Sequence, residues 1–165
     1  MTDTTKSLKK RDLVVTRLFD APVELVWNAW TDPGHVMRWW GPNFFTSPVA
    51  KMDFREGGTS LVSMRAPNGQ EFYNTWKYLK IVLLQRIEFI QNLADKDGRK
   101  VDPIKIGLRP DFPEDVRTVV TFKTIGDKTE MTIAEYGFPD TGMFVLAETG
   151  LNQSLDKMAA SFART

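Results

Sequence analysis

The chain carries one histidine, His35, and no cysteine, so its chemistry is bounded by count before any fold is considered. A histidine-based triad, a multi-histidine metal site, a thiolate metal centre and a cysteine nucleophile are all excluded. His35 follows Asp32-Pro33-Gly34, a turn sequence, and is expected to be a solvated or capping residue rather than a general base. Carboxylates are numerous, but none are spaced as an acid–base pair. Asp53 alternates with Met52 and Phe54, should face away from both, and is expected to anchor the neighbouring turn by hydrogen bonds. Glu135 shares a strand face with Met131 and Ile133, and Glu148 flanks the apolar stripe of a helix. These two are the carboxylates nearest to an interior. Burial there would raise their pKa and suit them to acid chemistry or to holding the polar end of a ligand, the alternative being ordinary rim carboxylates. No nucleophile motif, phosphate loop or metal-ligand cluster is present, so neither a cofactor nor a metal is expected.

The aromatic residues form the other candidate set, since five Trp and eleven Phe are many for 165 residues and they cluster. Trp27, Trp30 and Trp39 fall early, and Phe54, Phe72, Trp76, Phe89 and Phe122 fall in strand-like stretches. Phe144 and Phe162 fall in the last helix. Such rings either fill a core or form the walls of an apolar ligand cavity, and both roles can coexist. Polar residues on otherwise apolar faces, Asn74 beside Phe72 and Trp76, Gln91 beside Phe89, and Ser154 beside Gly150, would then orient a ligand.

Positioning these groups requires a sheet and something to cover it. From Thr141 to Ala163, Phe144, Ala147, Leu151, Leu155, Met158 and Phe162 lie along one line at about 100° per residue, a narrow apolar stripe with Met143 on its flank. This helix is long enough to cover a broad sheet. Before it, Leu13–Phe19 alternates as a strand, and Asp20-Ala21-Pro22 opens a short helix with Asp20 as its cap. Thr31-Asp32-Pro33-Gly34 ends that helix, and His35–Trp40 forms a second. Strands follow at 49–55, 59–65, 71–81, 83–93, 116–124 and 129–136, with hairpin signals at Pro67-Asn68-Gly69 and Gly126-Asp127 and a long Pro/Gly-broken loop at 94–115. Hairpin-spaced strands with segregated helices predict an α+β domain with an antiparallel sheet.

Several stretches then match a known family. Phe19-Asp20-Ala21-Pro22, Val26-Trp27-Asn28-Ala29-Trp30-Thr31-Asp32-Pro33 and Trp39-Trp40-Gly41-Pro42 resemble the opening of the SRPBCC (START-like, helix-grip) superfamily. Within it the chain is most similar to the group related to the C-terminal domain of the activator of the ninety-kilodalton heat-shock-protein ATPase. Met52-Asp53-Phe54-Arg55-Glu56-Gly57-Gly58, Phe112-Pro113-Glu114-Asp115 with its following strand, Gly126–Thr132 and Gly150–Met158 agree in order. The resemblance implies a helix-grip fold: a curved antiparallel sheet wrapped around a long C-terminal α-helix, with two short helices after the first strand and an apolar cavity between sheet and helix. It implies a range of roles, from ligand carriage through cyclisation to co-chaperone action.

The resulting expectation is a flexible tail at 1–11 and a single domain at 12–165. The domain would bind a small, largely apolar, aromatic or lipid-like ligand in a cavity formed by Trp27, Trp30, Trp39, Phe54, Phe72, Asn74, Trp76, Phe89, Gln91, Phe122, Glu135, Met143, Phe144, Ala147, Glu148 and Leu151. Alternatives are a co-chaperone-like module stimulating a heat-shock-protein ATPase, for which one domain leaves no segment matching the activator's other domain, and a cyclase using Glu135 or Glu148. Binding is favoured over catalysis, because no acid–base pair is visible. A net charge of +1 offers no general attraction for nucleic acid, and no apolar run is long enough for a signal segment or membrane insertion. A cytoplasmic monomer or homodimer is expected.

Overall fold

A computed structural model describes residues 9–163. Alternation drives most of the chain into strands, and the elements run β1 (Lys10–Phe19), α1 (Val23–Thr31), α2 (Pro33–Trp39), β2 (Ala50–Lys51), β3 (Thr59–Arg65), β4 (Glu71–Val82), β5 (Arg86–Ala94), β6 (Val116–Ile125), β7 (Lys128–Pro139) and α3 (Gly142–Phe162). The strands form one curved antiparallel sheet in the order β1-β7-β6-β5-β4-β3-β2, a meander from β2 to β7 extended by β1 at the far edge. All three helices pack on its concave face, which makes this the expected α+β helix-grip arrangement. Most of the expected tail lies outside the described residues. Its last two residues, Lys10 and Arg11, belong to β1 and pair with Pro139 and Phe138 of β7.

Local chemistry explains the element ends. The N-cap of α1 is Pro22, in extended backbone and without a side-chain cap bond, so Asp20 does not cap it as expected. Asp32 caps α2, its carboxylate accepting from the His35 backbone N–H at 2.9 Å, with Pro33 in the first turn. Thr141 caps α3, its hydroxyl oxygen accepting from Met143 N–H at 3.2 Å. The strand expected at 49–55 pairs over two residues only, because the chain turns at Asp53. Arg55 N–H donates to the Asp53 carbonyl, the Arg55 guanidinium donates to the Asp53 carboxylate at 2.8 Å, and Gly57 N–H donates to Tyr78 on β4. Gly58 is fixed by this turn, since a Cβ there would collide with the Asp53 carbonyl oxygen. β5 likewise starts at Arg86 rather than Leu83, after a turn in which Leu84 adopts φ 61°.

The core is a stack of rings. Trp30 of α1 lies 4.7 Å from Trp39 of α2, 5.8 Å from Trp76 of β4 and 6.3 Å from Phe89 of β5, centroid to centroid. Trp27 continues the stack to Phe122 at 5.2 Å and to Phe54 at 5.6 Å, and Phe54 meets Tyr78 at 4.9 Å. Buried indole N–H groups need acceptors, and three of them have one: Trp30 donates to the Met131 sulfur, Trp39 to the Ala29 carbonyl and Trp76 to the Gln91 side-chain carbonyl. The Tyr78 hydroxyl is hydrogen-bonded to Ser60 at 2.8 Å, and burial pushes its pKa up to about 12.

The C-terminal half of α3 closes this core. Leu155 and Met158 are fully buried, and Phe162 packs edge-on against Phe19 at 5.3 Å. His35 is buried here, contrary to its expected solvation. Its Nε2 lies 2.9 Å from the Ser161 hydroxyl, which itself donates to the Met158 carbonyl, so Nε2 is the protonated nitrogen. Burial, aided by Arg38, lowers the His35 pKa. From the inward face of β1, Arg17 reaches across to bind Asn152 and Asp156 of α3. Truncating the central ring tests this packing. Trp30→Ala should lower unfolding free energy in urea by about 3–5 kcal/mol, a large fraction of the roughly 5–15 kcal/mol typical of a domain.

Candidate functional site

The aromatic stack fills only one end of the concave face. At the other end, between the N-terminal half of α3 and strands β4 to β7, lies an apolar cleft of about 330 Å³, partly open to solvent. Alternation aims the wall residues inward. Phe72 and Asn74 come from β4, Gln91 and Leu93 from β5, Val116 from β6 and Glu135 from β7. Met143, Ala147, Leu151 and Ser154 line the opposite side from α3, at the helical spacing that shares one face. Gly150 belongs to this face as well. A Cβ on it would meet nothing nearer than Pro42 Cβ at 3.9 Å, so the glycine leaves space in the cleft rather than admitting a close strand.

Two loops finish the site. The 40–45 segment brings Trp40, Pro42 and Phe45, and it is held against α3 by Lys157, whose ammonium donates to the Pro42 and Phe45 carbonyls, and by Asn43 N–H donating to Gln153. Gly41 is obligatory in this loop: its φ is +109°, and a Cβ would press on Phe45 and Met64 at 3.2 and 3.3 Å. The 94–115 loop contains a short 3-10 helix at Pro103–Ile106 and contributes Leu108, Phe112 and Pro113. It is tied to α3 by Asp111, which accepts from Arg109 and from the Thr141 hydroxyl at 2.7 Å. Those bonds hold its carboxyl well below the usual range. A second hollow, about 440 Å³, runs among Lys10, Asp102, Asp111, Glu114 and neighbouring prolines. The 102–114 loop and the paired strand ends at Lys10 and Pro139 bound it, and Asp111 is already committed to Arg109 and Thr141.

Of the residues expected at a site, the cleft brings together Phe72, Asn74, Gln91, Glu135, Met143, Ala147 and Leu151. Trp27, Trp30, Trp39, Phe54, Trp76, Phe89 and Phe122 belong instead to the packed core, satisfied by one another. Phe144 joins a smaller cluster with Leu13, Val116 and Phe138, its ring 4.0 Å from the Arg11 guanidinium carbon. Glu148 is exposed, one position round the helix from Ala147, and its backbone carbonyl accepts from the Asn152 side-chain amide. The loop residues Phe45, Leu108 and Phe112 were missed, although large apolar side chains in Pro- and Gly-broken segments were their visible signal.

The polar groups in this cleft are few and unequal. The Gln91 carbonyl is taken by Trp76, which leaves its amide N–H₂ available. Ser154 donates to the Gly150 carbonyl and keeps its lone pairs. The Trp40 indole N–H is buried without an acceptor among the described residues, sealed from the cleft as well as from water. Glu135 differs from all of these. It follows Met131 and Ile133 on the inward face of β7 and pairs with Leu13 and Thr118 on the neighbouring strands. The residue is half-buried and its carboxylate faces the open cleft; among the described residues no hydrogen bond or ion pair reaches it, and desolvation by the surrounding apolar walls raises its pKa to about 7.

The fold and cleft define a helix-grip domain with an apolar cavity between sheet and C-terminal helix. The chain belongs to the family of Activator of Hsp90 ATPase homolog 1-like proteins, whose model matches residues 20–163. A crystal structure of a Chromobacterium violaceum protein is similar at 25% identity and TM-score 0.77, covering 93% of this chain and 98% of that one. A solution structure from Arthrobacter aurescens is similar at 23% identity and TM-score 0.79, covering 96% and 91%. The AHSA1 protein of Silicibacter pomeroyi is similar at 21% identity and TM-score 0.74, covering 93% and 98%. No curated protein matches. Among the described residues no helix is long and apolar enough to cross a membrane.

Two substitutions probe the geometry. In an acid with a raised pKa, the folded state holds a proton that the unfolded chain releases, so stability falls as pH rises from about 4.5 to about 7. Glu135→Gln should therefore match the parent in unfolding free energy below that window and exceed it above pH 7, by at most about 3 kcal/mol and less where water entering the cleft screens the charge. Gly150→Ala, with ordinary contact at Pro42 and no strained φ, should raise stability by about 0.5–1 kcal/mol in urea titrations.

Proposed function

We propose that this protein binds a small, largely apolar ligand in the cleft between the β4–β7 face and the N-terminal half of α3. One observation carries the reading: an accessible, mostly apolar volume of about 330 Å³, within the range of small-molecule sites, persists beside a core that is packed ring against ring. Phe72, Met143 and Leu151 supply contact area, and Asn74, Gln91 and Glu135 supply orientation. The volume suits a one- or two-ring aromatic molecule or a short acyl chain.

The family match favours a second reading, an interaction module acting on a heat-shock-type chaperone. A chaperone ATPase assay separates the two: stimulation that survives a filled cleft would support this reading and remove the need for a ligand. The cyclase reading retains Glu135 alone of its two carboxylates. With no second group bonded to that carboxyl among the described residues, the site is better suited to holding a ligand than to relaying a proton.

Binding is testable with the uncharged fluorophore prodan. Saturable enhancement and a blue shift are expected with the native protein. Ala147→Trp, which projects a large ring into the cleft, should reduce affinity at least tenfold while far-ultraviolet circular dichroism stays unchanged. Absence of saturable binding, or equal binding by the folded variant, would contradict the proposal.

A further inference from the structure

The feature that packing leaves unexplained is Glu135, among the described residues the one ionisable side chain lining the cleft. A carboxylate in apolar surroundings is ordinarily paired, because an isolated buried charge is costly. Among the described residues, no element packed around Glu135 supplies that pairing. On β6 its cross-strand neighbour Thr118 donates its hydroxyl to the Val116 carbonyl, and Arg117 is bonded to Glu88. On β1 the partner is Leu13. Arg11 sits over the Phe144 ring and within 3.8 Å of Asp140, Asp12 accepts from Gly137 N–H, and Arg17 is held by Asn152 and Asp156. On β7 itself Lys128 and Glu130 lie near the opposite end of the strand, paired with Ile125 and Lys123.

From α3 the facing residues are Met143, Ala147, Leu151 and Ser154. Glu148 and Asp156 are exposed, and Lys157 is bonded to the 42–45 loop. In the 94–115 loop Lys100 is engaged by Asp115, and Arg109 by Asp111. The cleft therefore has one acidic group, several apolar and aromatic walls, and no cationic side chain among its lining residues.

Building on the ligand-binding reading, we infer that the cleft selects ligands carrying a cationic amine on an apolar or aromatic body, with Glu135 as the counter-ion. An ammonium group would give the carboxylate the partner it lacks, while Ser154 Oγ offers a further lone pair and Phe45 and Phe72 add aromatic faces. A fatty acid or other anion would place like charges together with no cation to offset them, so its exclusion is built into the same arrangement. Because burial holds the carboxyl near neutrality when the cleft is free, amine binding should strengthen as pH rises through about 7. The amine itself stays protonated there, its ordinary pKa being roughly 10.

The test compares tryptamine, tryptophol and indoleacetate, which share a ring and differ in charge, by isothermal titration calorimetry at pH 5.5 and 8.5. At the higher pH tryptamine should bind at least tenfold more tightly than tryptophol, with indoleacetate weakest. At the lower pH the tryptamine advantage should shrink towards parity. Glu135→Gln should abolish the preference while keeping tryptophol binding. Should that variant fold poorly, carbon-detected NMR of the Glu135 carboxyl in the native protein serves instead: tryptamine should return its pKa towards the ordinary carboxylate range. Equal or stronger binding of indoleacetate, a preference that survives Glu135→Gln, or an unmoved carboxyl titration would overturn the inference and leave the cleft as a binder of apolar ligands. Failure of all three compounds to bind would remove the ligand-binding reading itself.

Discussion

The structure depends on a wedge of indole rings. Trp30 and Trp39, carried by two short helices, reach the sheet at Trp76 and Phe89 and hold that end of the concave face at full density. The C-terminal half of α3 then has a firm bed for Leu155, Met158 and Phe162, with His35 and Arg17 fastening it on either side. Once one half of a straight helix is seated on such a wedge, its other half must cross the curved sheet at a distance. Small residues there, Ala147 and Gly150, followed by Ser154 just past the midpoint, do not fill the interval. The cleft is thus a consequence of where the large side chains were placed, and close packing at one end is what keeps space at the other.

The same division sorts the polar groups. In the packed half, His35, Ser60 and Ser161 and the Trp30, Trp39 and Trp76 indoles are bonded within the protein, as buried donors and acceptors generally are. In the open half the Gln91 amide is half used and the Glu135 carboxyl is unused. Both residues are half-buried at the wall of an open cleft, where a ligand that displaces water can complete their hydrogen bonds.

Much of the fold was legible in the sequence because its signals are local. The 3.6-residue stripe of α3 and the alternation of β3, β4, β6 and β7 act within a few residues, and each of these elements formed close to its expected bounds, whereas α2 starts at Pro33, inside the stretch expected only to end α1. What failed were readings that depend on distant partners. The 49–55 strand stopped early because Gly58 and Tyr78 draw the chain into a turn, and His35 is buried because Ser161, far away in sequence, receives it. For the site, alternation placed Phe72, Asn74, Gln91 and Glu135 on inward strand faces, and all four line the cleft. Alternation alone does not say which inward residue meets another ring and which meets space, so the tryptophans were assigned to a cavity when they plug one. Glu148 shows the limit on the helix, where about 100° of rotation separates the cleft wall at Ala147 from solvent.

The central claim, that the second half of the grip is an accessible apolar site while the first is solid, is most directly tested by a methyl-resolved NMR titration with an uncharged aromatic such as tryptophol. Shifts should concentrate on Met64, Leu93, Met143, Ala147 and Leu151, with Met131, Ile133, Leu155 and Met158 unmoved. Shifts spread evenly over both groups, or confined to the exposed Val14 and Leu18 on the outer face of β1, would contradict it.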